Sequence, residues 1–130
     1  MPTSPGDDDK VVRAYFQWLD ADELERPQHE WAFDKLCELT VVDPEKAWPL
    51  TLLIVERTPE EFRAMAAAAG WLQNILEHHG PQFIDRVEAL SHTDIHFRKF
   101  LFMLNSRAVP EQIFVRVQKT LEGDPYMPPL

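Results

Sequence analysis

The sequence predicts an all-α protein, a single-domain irregular bundle or short stack of seven to eight antiparallel helices. Three observations predict it. Apolar residues recur at three- and four-residue steps, and no stretch shows a sustained period-two alternation. Eleven prolines and four glycines punctuate the 130 residues at intervals that suit short helices. Hydrophobic residues make up 45%, enough for a packed core and too many for a disordered chain.

Each element has its own signal. The first helix is predicted over residues 7–20, with Asp7, Asp8 and Asp9 at the positive end of its dipole and Val11, Val12, Tyr15, Trp18 and Leu19 as its apolar stripe. The second follows Pro27, over residues 28–40, with Trp31, Phe33, Leu36, Cys37 and Leu39 expected to face inward. Asp43-Pro44 opens the third. Its stretch 48–55 is apolar on nearly all sides, so this helix is expected to be the central one. Pro49 is expected near its start, with residues 44–48 as an irregular first turn. Thr58-Pro59-Glu60-Glu61 reads as an N-cap, a proline at the first helical position and a capping box, opening a helix that ends at a break at Gly70. A short helix over 71–79 is then stopped by Gly80-Pro81, which starts the next, over 81–91, with Phe83, Ile84, Val87 and Leu90 inward. Another covers 94–104, on Phe97, Phe100, Leu101 and Leu104. The last follows Val109-Pro110, on Ile113, Phe114, Val117 and Leu121, and is closed by Gly123. The domain thus spans 1–123. Residues 124–130 hold three prolines in seven and are expected to form an extended C-terminal tail. The four tryptophans have no constant spacing, so they give no support to a repeat array.

Composition removes several classes of function. The glycines are too scattered for a phosphate-binding loop, and one cysteine cannot form an internal disulfide or a cysteine-based zinc site. The acidic, proline-broken N-terminus is unlike a signal peptide, and the apolar run 50–55 is far short of the ~20 residues of a membrane span, so a cytoplasmic protein is expected. The net charge is −9, all of it in residues 1–61, so nucleic acid is not an expected partner. His29-Glu30-Trp31-Ala32-Phe33 begins like a zincin helix, but Phe33 stands where the second histidine is required. His92 and His96 have i,i+4 spacing, but Asp94 is expected to cap between them and turn them apart. His78 and His79 are expected to close a helix, where imidazolium suits the negative dipole end. Cys37, flanked at helical spacing by Phe33, Leu36 and Thr40, reads as a core thiol. No catalytic residue, metal ligand or cofactor is predicted.

One constellation remains. Glu30, Asp34 and Glu38 are spaced to stack on one face of the second helix, a repulsive arrangement in an isolated helix. With Asp20, Asp22, Glu23 and Glu25 they give residues 20–38 seven acids against Arg26 and Lys35. This is a candidate docking face for a basic protein partner, or for the cations Arg86, Arg98, Lys99, Arg107, Arg116 and Lys119 of the second half. Solubility alone also produces acidic faces. Asp85-Arg86 is expected to cap a neighbouring helix or form an ion pair.

The segment Gly70-Trp71-Leu72-Gln73-Asn74-Ile75-Leu76-Glu77-His78-His79-Gly80, then residues 83–88 and 97–99, with the helix upstream at 48–56, resembles a family of small bacterial all-helical domains of unknown function. The resemblance covers roughly residues 44–121. Trp71, Gln73 and Asn74 depart from the family pattern, which has proline after the first glycine and acids after the leucine. The resemblance implies a helical fold and a bacterial source, and carries no activity. The function expected is therefore a non-enzymatic interaction module with an acidic surface, for example an immunity-type inhibitor of a basic partner. A small-ligand or enzyme pocket lined by Trp31, Trp48, Trp71 and histidines, or a self-associating helical module, are the alternatives.

Overall fold

Capping residues and prolines divide the chain into six α-helices and one 3₁₀ turn in a computed structural model that describes residues 5–122. They are α1 (Pro5–Asp20), α2 (Arg26–Val42), α3 (Pro44–Arg57), α4 (Phe62–Thr93), α5 (Ile95–Phe100), the 3₁₀ turn Leu101–Met103 and α6 (Glu111–Leu121). No strand occurs among the described residues. Gly123 and the expected tail 124–130 lie outside them.

The all-α class holds among the described residues, with six α-helices delimited where seven to eight were expected, because the break expected at Gly70 is bridged and the one at Gly80-Pro81 is a kink that joins two helical segments. Gly70 does not interrupt α4. A lone glycine inside a helix costs only about 1 kcal/mol, which tertiary packing overrides. The break expected at Gly80-Pro81 is present: His79 takes the non-helical φ −138° and ψ 28°, and α4 is two helical segments joined across this kink. Pro81 has no N–H to offer the carbonyl of Glu77, and its ring crowds that turn, which is the ordinary cause of such a kink.

Three boundary readings are also corrected. Glu61, not Thr58, caps α4, its carboxylate accepting from the N–H groups of Arg63 (3.1 Å) and Ala64 (2.8 Å). Thr58 is buried, and its hydroxyl already donates to the Ile54 carbonyl at the end of α3 (2.5 Å). The third helix starts at Pro44 without an irregular turn, and Pro49 lies inside it with its ring exposed.

The central helix is α4, not α3. It buries twelve residues against six in α3, and it packs against α2, α3, α5 and α6. Leu72, Ile75, Leu76, Phe83 and Ile84 form its inner stripe, each at most 1% exposed. They meet Val12 and Tyr15 of α1, Leu36 of α2, Ile54 of α3, and Phe97, Phe100 and Val117 further on, in one continuous core. Trp31, expected inward, is 42% exposed. Buried threonines cost little here because each bonds back to its own helix: Thr40 to the Leu36 carbonyl (2.8 Å) and Thr51 to that of Ala47 (2.9 Å).

Three helix ends are satisfied from elsewhere in the chain. The His79 Nε2–H donates to the Val41 carbonyl in the last turn of α2 (2.6 Å), and the His96 Nε2–H to Val55 in the last turn of α3 (2.7 Å). Arg98 donates to the Thr120 carbonyl near the end of α6 (2.8 Å). Instead of closing its own helix, His79 serves the negative end of another.

Candidate functional site

The acidic residues singled out by the sequence separate into two groups. Asp20 ends α1, Asp22 and Glu23 lie in the following turn, and Glu25 precedes α2 without a side-chain capping bond. Asp22 is committed to that turn, its Oδ1 accepting from the N–H groups of Leu24 (3.0 Å) and Glu25 (2.9 Å). Asp20 and Glu25 border a shallow hollow that also holds Arg13, His29 and Arg57. Glu30, Asp34 and Glu38 form the expected row on α2, all exposed. None of the three makes an ion pair or side-chain hydrogen bond among the described residues.

Cations of the second half pair elsewhere. Arg86 grips Glu45 at the start of α3 through two bonds, 2.7 and 2.9 Å, and lies over the Phe83 ring at 4.5 Å. Gln82 adds a third bond to the same carboxylate (3.0 Å). Arg86 and then Gln82 hold the Glu45 carboxyl below its usual range. Lys99 bonds Glu60 at 2.7 Å and lowers it likewise. Arg116 bridges Glu88 and Asp85 along α4, the latter at 2.6 Å, and is raised by them in that order. In the first half, Asp9 is shared between Arg57 and Arg13, both at 2.8 Å, and depressed by them. Asp85 and Arg86 thus each form an ion pair, as expected, but with different helices. Arg86, Lys99 and Arg116 reach acids outside the row on α2.

A second feature was missed by the sequence reading. Between α1, α2 and α4 opens a cleft of about 350 Å³. Tyr15, Trp18 and Leu19 come from α1, Phe33 and Cys37 from α2, and Gly70, Trp71, Gln73 and Asn74 from α4. Trp18 stacks on Phe33 with centroids 4.5 Å apart, and Trp71 meets Phe33 and Tyr15 edge-on at 5.3 and 5.9 Å. No charged side chain lines it. The Tyr15 hydroxyl and the Trp71 indole N–H are buried without a hydrogen-bond partner. Burial pushes the Tyr15 hydroxyl up to about 12, and the nearby Trp71 N–H offsets only part of this without reaching hydrogen-bond geometry. Burial, and then the charge of Asp34, raise the Cys37 thiol, which keeps it protonated and poorly nucleophilic. The rim amides are already engaged: Gln73 accepts from the Asn105 N–H (2.8 Å) and Asn74 approaches the Thr40 hydroxyl (3.5 Å).

Of the tryptophans expected to line a pocket, only Trp71 lines this one. Trp48 packs on Phe83 at 5.3 Å, and Trp31 borders a separate hollow with Gln17 and His29. The signal was present in two stripes, Tyr15-Trp18-Leu19 and Phe33-Cys37, but both have the spacing of ordinary core. Among the described residues, no group of three or more His, Cys, Asp or Glu could hold a metal ion. His92 is exposed, and His96 is turned to the end of α3. No described helix is long and apolar enough to cross a membrane.

A family model matches residues 20–124, from the end of α1 through α6. The chain belongs to the family of unknown function DUF6869. The match is wider than the resemblance over 44–121, and the family region of DUF6869 therefore includes α2 with its acidic row and the Phe33–Cys37 wall of the cleft. Most of α1, which supplies Tyr15 and Trp18, precedes it. No curated protein and no solved structure matches the chain.

Proposed function

We propose that this protein is a non-enzymatic interaction module that presents the exposed face of α2 to a basic protein partner. The observation that carries the reading is the division of ion pairs. Glu45, Glu60, Asp85 and Glu88 are met by Arg86, Lys99 and Arg116, while Glu30, Asp34 and Glu38 stand unpaired in one row. A row of like charges destabilises its own helix slightly, and a cationic partner converts that repulsion into attraction. Charge complementarity of this kind accelerates encounter and excludes wrong partners more than it adds affinity. An inhibitor that captures a cationic protein in a bacterial cytoplasm is one form such a module takes.

The test is affinity capture from the native cell at low and high salt. The wild-type chain is expected to retain a basic protein at low salt and release it at high salt. The double variant Asp34→Lys, Glu38→Lys is expected to lose it. Retention of the same partner, with the same salt response, by the double variant overturns the reading.

A further inference from the structure

Gly70 sits inside α4, where glycine is less favourable than alanine. Nothing in the fold requires it there. A Cβ built on Gly70 meets no atom within 4 Å, whereas one on Gly80 runs into Ile113 at 2.6 Å. What the missing side chain at Gly70 leaves is space in the cleft, since Gly70 is part of its wall. That space is bounded by rings and neutral groups, in a chain of which 27% of residues are charged. Tyr15 and Trp71, 1% and 5% exposed, form part of its wall. At about 350 Å³ the cleft is at the small end of ligand sites, which run from about 300 to 1,000 Å³, and suits one ring system. Glu30, Asp34 and Glu38 lie one position, roughly 100°, around α2 from the Phe33–Cys37 wall, so the acidic row runs beside the cleft. Arg26 lies over the Trp18 ring at 5.4 Å and supplies a cation at that end.

Building on the acidic docking face, we propose that the cleft is a socket for one aromatic side chain of the basic partner, with the lysines or arginines that flank that side chain lying on Glu30, Asp34 and Glu38. The walls take the ring. An uncharged interior with charge at its border is the usual division of a binding surface into anchor and rim.

The test is a nuclear magnetic resonance titration of the full ¹⁵N-labelled chain with capped peptides at up to millimolar concentration, followed at the Trp18 and Trp71 indole N–H signals. Lys-Lys-Trp-Lys-Lys is expected to bind at least about tenfold tighter than Lys-Lys-Ala-Lys-Lys and to shift both signals. Gly70→Leu, which fills the cleft, is expected to fold and to reduce the tryptophan peptide to the level of the alanine peptide. If Gly70→Leu does not fold, Ala67→Leu on the same wall gives the same comparison. Asp34→Lys with Glu38→Lys is expected to weaken both lysine peptides. Equal binding of the two lysine peptides, unaffected by filling the cleft, overturns the socket and leaves the acidic face standing. Binding of the tryptophan peptide that is as tight after reversal of the two charges as before it overturns the acidic reading and leaves a ring site. Equal binding of Glu-Glu-Trp-Glu-Glu, or of free indole, overturns the basic flank. No binding of either lysine peptide overturns both.

Discussion

Gly70 and Gly80 occupy one helix and meet opposite surroundings. Around Gly80 the structure is closed: Ile113 of α6 fills the place of a side chain, and Arg116 and Arg86 tie the same half of α4 to its neighbours. Around Gly70 it is open, and the aromatic rings of α1, α2 and α4 leave a cleft beside it. Glycine in the closed half is a packing necessity. In the open half it is a cost of about 0.5–1 kcal/mol with no packing return. Both halves of α4 bury an inner face, and the first half also keeps a surface available.

The comparison can be broken most severely at Tyr15, which walls the open half. Its hydroxyl is held near 12 in the folded chain against 10 for the ordinary value. The folded form therefore binds more protons than the unfolded form between those values. Stability is unaffected below pH 10 and falls as pH rises from 10 through 12, by up to roughly 3 kcal/mol. Urea unfolding against pH should show this loss in the wild type and not in Tyr15→Phe. An equal alkaline loss in that variant would place its origin elsewhere. Next in size, Gly80→Ala should cost about 1–3 kcal/mol, the usual penalty of overpacking, read as a lower urea midpoint. Gly70→Ala should do the reverse and gain about 0.5–1 kcal/mol. If the two alanines act alike, the contrast between the halves is wrong. The smallest effect belongs to Asp34→Ala, which relieves two like-charge contacts on α2. It should raise the melting temperature by an amount equivalent to a few tenths of a kcal/mol, with the gain shrinking in salt.

The helical class and nearly all of the apolar stripes were legible in the sequence because periodicity is a local signal. Val12, Leu36, Ile75, Phe83, Phe97 and Val117 were read as inward, and all are buried. The errors fell where one local signal competes with another bond or with packing. Thr58 looks like an N-cap until the Ile54 carbonyl, one turn behind it, takes its hydroxyl. Gly70 looks like a break, but the packing of Ala68, Ala69, Trp71 and Leu72 on both sides carries the helix through. The row Glu30-Asp34-Glu38 could be placed on one face from spacing alone. Its freedom from intramolecular pairing could not, since that depends on where Arg86, Lys99 and Arg116 are carried by the fold. The cleft was not legible for the same reason. Tyr15, Phe33 and Trp71 are distant in sequence, and a wall of rings has the same local pattern as a filled core.

The imidazoles of His79 and His96 have a consequence for how this chain acquires its shape. Neither α2 nor α3 is followed by a glycine that would terminate its ladder from within; the carbonyls of Val41 and Val55 are met by rings that lie 38 and 41 residues downstream. Peptides excised to cover only these two segments should fray or run on at their ends. Asp43-Pro44 and Thr58-Pro59 mark where the early helices stop, and the last turns before those marks gain their remaining hydrogen bonds only when the later part of the chain has docked.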